Sequence, residues 1–224
     1  MNVLAIDSVT SVLSVTAIGP KGMATVSLED GPQHAESLLP LIGSAMETAG
    51  FTARETGIVA CPEGPGSFTG LRIAYAACKG IALASGAQLV PVPTLGRYAE
   101  SFNAWPGAVV SVLDAKKERF YAQVFRRGVP VTEPLDLAPA DVMRYLDPAE
   151  RILAVGPDAE SFAEALSGTV RGLDLAWLAA GKGGISASIA KFAKDHAQEY
   201  TDRVLDQDGP VYVRKSDAET NTAG

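Results

Sequence analysis

The run Gly64-Pro65-Gly66-Ser67-Phe68-Thr69-Gly70-Leu71-Arg72 constrains this chain most, because it stands where an apolar strand pattern, residues 58–61, gives way to a helix pattern of small residues. A strand that turns through glycines into a helix is a β-to-α junction, and such junctions belong to α/β folds. Glycine admits positive φ and close approach of a partner, while the free N–H groups and dipole of the following helix favour an anion. The junction therefore has the form of a phosphate turn, with Gly64, Gly66 and Ser67 as its candidate contacts. Three familiar chemistries do not fit it. A Walker loop needs a lysine at the end of the run, and none is there. The dinucleotide fingerprint comes closer, but the next strand ends Val90-Pro91-Val92-Pro93 without an acid for a ribose. Ser67 follows Gly66 directly, so the spacing of a nucleophile elbow fails.

Around this junction the apolar pattern lays out the rest. Short or alternating apolar runs at 3–6, 12–18 and 23–28 predict three strands in hairpins. Residues 34–49 repeat apolar side chains at helical spacing and end at Gly50, with Pro40 expected to kink the helix or delay its start. A strand at 58–61, a helix over about 67–85 stopped by Gly86, and a strand at 89–92 follow. Proline, glycine and weak periodicity place a lobe boundary near residue 105. Beyond it, strands are expected at 108–113, 119–126, 129–132, 152–155 and 211–214, with helices at 140–145, 159–166 and 185–200. The plan of strands in hairpins followed by alternating α and β thus occurs twice. It divides the chain into 1–105, 106–215 and a polar tail, 216–224, expected to be disordered.

Composition limits the partners. The 224 residues carry a formal charge of −7, which repels a phosphate backbone and disfavours direct contact with nucleic acid. The chain enters a strand at once, without a basic leader, and no apolar run reaches about 18 residues, so a cytoplasmic protein is expected. Cys61 and Cys78 read as buried, reduced filler. The two histidines, His34 and His196, have no second ligand at a metal spacing, and His34 reads as a surface residue at a helix start.

Asp7 closes the first strand and precedes Ser8. It reads either as a turn former bonding nearby amides, the favoured role, or as a phosphate or Mg²⁺ contact. In sugar kinases, actin and Hsp70 an acid in this place starts a phosphate hairpin with glycine beside it; here the hairpin has no glycine. Asp114, ahead of Ala115-Lys116-Lys117-Glu118-Arg119, is either part of a solvated turn or a salt-bridge acceptor or polar anchor between lobes. The helix after the glycine run is small or apolar nearly all round. Such a helix is wholly buried or sits at an interface, and with Leu38, Leu41, Ile42 and Met46 on the neighbouring helix an intermolecular helix bundle is a reasonable expectation.

Taken together, Leu4-Ala5-Ile6-Asp7-Ser8, His34-Ala35-Glu36-Ser37-Leu38-Leu39-Pro40, the glycine run, Asp114-Ala115-Lys116-Lys117 and Pro210-Val211-Tyr212-Val213-Arg214 resemble the TsaB (YeaZ) family across nearly the whole chain. The resemblance implies an α/β, two-lobed actin-like ATPase fold (ASKHA, ribonuclease H-like), each lobe a βββαβα-type mixed sheet with flanking helices. It implies a non-catalytic accessory role in making threonylcarbamoyladenosine in the tRNA anticodon loop, beside a catalytic TsaD-type subunit and a TsaE-type ATPase. A homodimer through much of the same surface and indirect contact with tRNA are implied too. No cofactor is expected in the chain itself; ATP and a metal would enter through its partners. The metal motif His-x-x-x-His of TsaD-type catalysts is missing, since Leu38 stands four residues after His34.

Docking through the two first-lobe helices gives Leu38, Leu41, Ile42, Met46, Leu71, Ala74, Tyr75 and Cys78 as expected interface residues, and a charge at Leu38 or Ala74 is expected to break the complex while sparing the fold. Asp7, Ser8, Gly64, Gly66 and Ser67 would then be a vestigial phosphate site. Cys61-Pro62-Glu63 departs from the small or basic residues that relatives often carry, and an acid there weakens nucleotide binding further. The competing readings are a nucleotide-dependent actin-like ATPase or kinase and, with too few ligands to favour it, a metallopeptidase.

Overall fold

The computed structural model describes residues 1–29, 33–201 and 209–214. Among the described residues two compact units are present: Met1–Pro93 with those of Gly183–Val211, and Thr94–Lys182 with 212–214.

The first unit begins with three strands in hairpins, β1 (Asn2–Asp7), β2 (Val12–Gly19) and β3 (Gly22–Glu29), followed by α1 (His34–Ala49), β4 (Thr56–Gly64), α2 (Phe68–Ser85) and β5 (Gln88–Pro93). The sheet runs β3-β2-β1-β4-β5, antiparallel across the hairpins and parallel across β1, β4 and β5. Alternation along β2 sorts its side chains. Leu13, Val15 and Ala17 join Leu4, Ile6, Val59 and Cys61 under α1 and α2, while Ser14 and Thr16 face the other way. Helix α1 starts at His34 and runs through Pro40 without breaking. Pro40 lies on the exposed side of α1, so the carbonyl that loses its N–H partner four residues back is on the solvent side.

The second unit carries α3 (Thr94–Ala99), β6 (Ala108–Asp114), β7 (Phe120–Arg126), β8 (Val129–Pro130), β9 (Leu135–Leu137), β10 (Ile152–Gly156), α4 (Ala159–Thr169) and β11 (Leu175–Ala179). Its sheet runs β11-β10-β6-β7-β8, with β9 also on β7. The order repeats that of the first sheet: hairpin strands on one side, parallel strands on the other. Phe120 meets Phe162 edge to face at 5.3 Å in the middle of its core. One carboxylate ties down the segment that carries Arg214. Asp136 accepts from Arg119 Nε at 2.7 Å and from Arg214 Nη2 at 2.8 Å and Nε at 2.5 Å, while Arg214 Nη1 donates to the Ala115 carbonyl at 2.9 Å. Burial pushes Asp136 up, but the two guanidiniums outweigh it and hold the carboxyl below its ordinary range.

The last helix, α5 (Ser186–His196), returns to the first unit and packs on β1, β2 and β4, with Ile189, Ala190 and Ala193 fully buried. The boundary expected near residue 105 is therefore corrected. The chain leaves the first unit at Pro93, because α3 buries Leu95 and Tyr98 and Ser111 Oγ donates to the Leu95 carbonyl at 2.7 Å. Six residues of helix are too few for a readable period. Strand β11 was missed for a related reason: as an edge strand it leaves Trp177 and Leu178 exposed and shows no clean alternation. The helix expected at 140–145 is a 3₁₀ stretch, Pro139–Tyr145. The strand expected at 211–214 belongs to neither sheet, and the tail 216–224 lies outside the described residues.

Candidate functional site

The sequence-derived site gathers at the end of β1, and the structure accounts for each of its parts. Asp7 is wholly buried. Its Oδ1 accepts the Val9 N–H at 3.2 Å and closes the β1–β2 turn. Its Oδ2 accepts the Ile185 N–H at 2.8 Å, just ahead of α5. The carboxylate thus receives the N–H of the cap residue of a helix, 178 residues later, where a negative charge is favoured. A polar row on the same face of the sheet continues the contact: Ser186 N–H donates to Ser14 Oγ at 3.3 Å, and the Ser186 and Thr16 hydroxyls lie 2.8 Å apart.

The glycine turn packs onto the next two residues. Ser8 Oγ donates to the Gly70 carbonyl at 2.8 Å, and the Ser67 N–H donates to the Val9 carbonyl at 3.0 Å. Ser67 also caps α2, its hydroxyl accepting the Gly70 N–H at 3.2 Å. Any side chain at Gly70 would overlap the Ser8 carbonyl, and a Cβ at Gly66 would stand 2.6 Å from that of Val9. Gly64 has φ +120° and no room beside the Val211 carbonyl, and the Val211 N–H donates to the Glu63 carbonyl at 2.8 Å. These glycines are required because chain meets chain.

Burial pushes the Asp7 carboxyl up to about 6, although the Ile185 and Val9 N–H groups, the His34 ring and the Ser14 hydroxyl all pull it down. The sign follows from an unfolded value of 3.8: between pH 4 and 6 the folded chain binds more protons than the unfolded one. This group therefore favours folding at the acid end and costs stability as the pH rises through 6. Relative to Asp7→Asn, the wild type should lose about 2.5 kcal/mol between pH 4 and pH 7, most of the full value of a two-unit shift at about 1.36 kcal/mol per unit. Urea titrations of both proteins across that range measure it, and a flat difference would refute it.

His34, expected at the surface, is buried, with Nε2 3.2 Å from the Ser11 carbonyl. Asp114 is a turn former within the second unit. Its Oδ1 accepts the Lys116 N–H at 2.7 Å, its Oδ2 pairs with Lys116 Nζ at 2.7 Å, and its N–H donates to Asp158 Oδ2 at 2.8 Å. Among the described residues no group of three or more His, Cys, Asp and Glu is placed to hold a metal ion, and no helix is long and apolar enough to cross a membrane.

The expected interface residues need the larger correction. Leu38, Ile42, Met46, Leu71, Ala74, Tyr75 and Cys78 belong to the chain's own core, and Leu41 is half-buried against it. The outward sides of the same two helices carry other residues. On α1 these include Leu39, 70 % exposed, with Pro40 and Gly43; on α2 they are Arg72, Ala76, Gly80, Leu83 and Ala84, with Leu83 73 % exposed. Spacing of three and four residues puts each set on one side. That signal was legible, but a helix with small residues nearly all round does not say which side is inner.

Known proteins give the arrangement its place. The sequence matches the family model described as TsaD, tRNA N6-adenosine threonylcarbamoyltransferase, over residues 29–214. The tRNA threonylcarbamoyladenosine biosynthesis protein TsaB of Escherichia coli is 32 % identical over 130 residues, 57 % of this chain and 56 % of that protein. The Haemophilus influenzae protein of the same name is 26 % identical over 132 residues, 58 % of this chain and 56 % of that one. The chain thus spans a little over half the length of these relatives. The structure of YeaZ from Pseudomonas aeruginosa superposes with a TM-score of 0.76 at 23 % identity, covering 94 % of this chain and 99 % of the other. The ethanolamine utilization protein EutJ of Carboxydothermus hydrogenoformans gives 0.53 at 15 % identity, over 86 % and 90 %. The fold is the actin-like α/β class, two mixed sheets with flanking helices. By the match over residues 29–214, the chain belongs to the family described as TsaD, tRNA N6-adenosine threonylcarbamoyltransferase, and within it is similar to the TsaB proteins.

Proposed function

We propose that this chain is a non-catalytic, cytoplasmic accessory subunit of the machinery that makes threonylcarbamoyladenosine in tRNA, and that it docks a TsaD-type catalytic subunit through the outward sides of α1 and α2. The observation that carries the docking surface is the exposed stripe of small and apolar residues on two adjacent helices: Leu39, Pro40 and Gly43 beside Ala76, Gly80 and Leu83. Small residues let a second pair of helices approach closely, and Leu39 and Leu83 supply apolar area to bury. The names of the relatives support the pathway, and the −7 charge supports contact with tRNA through the complex rather than by this chain. A TsaE-type ATPase joins the assembly, a homodimer uses the same stripe when the partner is absent, and ATP and metal are held by the partners.

Leu39→Glu and Leu83→Glu test the surface. Each should weaken binding to the cognate catalytic subunit by about 100-fold, as loss of a buried apolar anchor does, while the unfolding midpoint stays at the wild-type value. Calorimetric titration of the two purified proteins reads the affinity, and wild-type binding by both variants would sink the assignment. The rival reading, a nucleotide-dependent enzyme, calls for tight ATP–Mg²⁺ binding by the chain alone and hydrolysis lost in Asp7→Ala.

A further inference from the structure

The β1–β2 turn sits between two helix starts that are far apart in sequence, and successive residues of the turn hold them. Asp7 Oδ2 accepts the Ile185 N–H ahead of α5, Ser8 Oγ donates to the Gly70 carbonyl in the first turn of α2, and the Val9 carbonyl accepts the N–H of Ser67, the α2 cap. Asp7 Oδ1 accepts the Val9 N–H, so the two sides are joined across the turn itself. No slack is left in it. Asp7 and Ser8 are wholly buried, Val9 is 4 % exposed, and Gly66 and Gly70 lie against Val9 and Ser8 without room for a methyl group. Close-packed segments of this kind shift together, because moving one leaves buried polar atoms of the other unpaired.

We propose that the β1–β2 turn is a relay that couples the docking of α5 to the seating of the first turn of α2, so that loosening either helix start loosens the other. Its consequence for function rests on the reading of α2 as a docking helix: binding a partner on α2 would tighten α5, and a change at α5 would alter the affinity of α2. Coupling of this kind is reciprocal. The coupling itself stands on the hydrogen bonds above and needs no partner.

Hydrogen–deuterium exchange on the full chain tests it with two mild substitutions placed on opposite sides. Thr16→Val removes the hydroxyl that meets Ser186, and Thr25 on β3, and leaves the bonds of the turn to α2 in place. Ser8→Ala removes the bond to Gly70 and leaves the bonds of Asp7 to Ile185 and of Thr16 to Ser186 in place. Each variant should speed exchange about tenfold or more at the hydrogen-bonded amides of Ser186, Ile189 and Ala190 and also at those of 70–73. The amides of residues 42–49, in the half of α1 away from the His34–Ser11 contact, should keep wild-type rates and so report any general loosening. A variant that frees one helix start while the other exchanges as in the wild type overturns the relay, as do wild-type rates at both or an equal rise at residues 42–49. Because exchange is read on the chain alone, failure to bind a catalytic partner would count against the proposed function and leave the relay standing.

Discussion

Gly70→Ala is expected to lower the unfolding free energy by about 3 kcal/mol, measured by urea denaturation of the purified chain. The added methyl meets the Ser8 carbonyl, which is backbone and cannot rotate away, and it can be accommodated only by separating α2 from the β1–β2 turn. That separation would strain the Ser8–Gly70 and Ser67–Val9 hydrogen bonds. Gly80→Ala supplies the contrast within the same helix. Nothing lies within 4 Å of a Cβ there, so alanine should raise stability by about 0.5 kcal/mol through its better helix propensity. Equal effects at the two positions would show that the contact with Ser8 is not what selects glycine at residue 70.

Ala74→Asp is expected to have the largest effect, about 4 kcal/mol or more, enough to leave much of the protein unfolded or insoluble. Ala74 is wholly buried in the core that α2 makes with the sheet, among Val59, Cys61 and Cys78. A carboxylate there has no partner and no water. This reverses the expectation drawn from the sequence, where a charge at Leu38 or Ala74 breaks a complex and spares the fold. Thermal unfolding followed by circular dichroism separates the two cases: Leu83→Glu should melt with the wild type and Ala74→Asp well below it. An Ala74→Asp protein with the wild-type midpoint would return that residue to the interface.

The site was legible in unequal parts. Asp7 and the glycine run stand out in the sequence because a buried-strand acid and a cluster of glycines are costly unless something requires them. What requires them was not legible. The residues that meet them, Ile185 and Val211 on one side and Ser8 and Val9 on the other, carry no local mark of the contact. The Arg119–Asp136–Arg214 cluster was unreadable for the same reason, since its members lie on a hairpin strand start, a short strand and a segment outside both sheets.

By itself the sequence determined most of the strands and helices, where α1 and α2 stop at Gly50 and Gly86, and that each unit is built from a hairpin sheet extended by parallel strands. These follow from periodicity and from backbone preferences, which act between near neighbours. Three outcomes emerge only when the segments meet in space: which sides of α1 and α2 face inward, that α5 belongs with the first sheet, and that the Asp7 carboxylate receives the Ile185 N–H. Those outcomes depend on burial and hydrogen bonding between segments up to 178 residues apart, and such contacts leave no period in the chain.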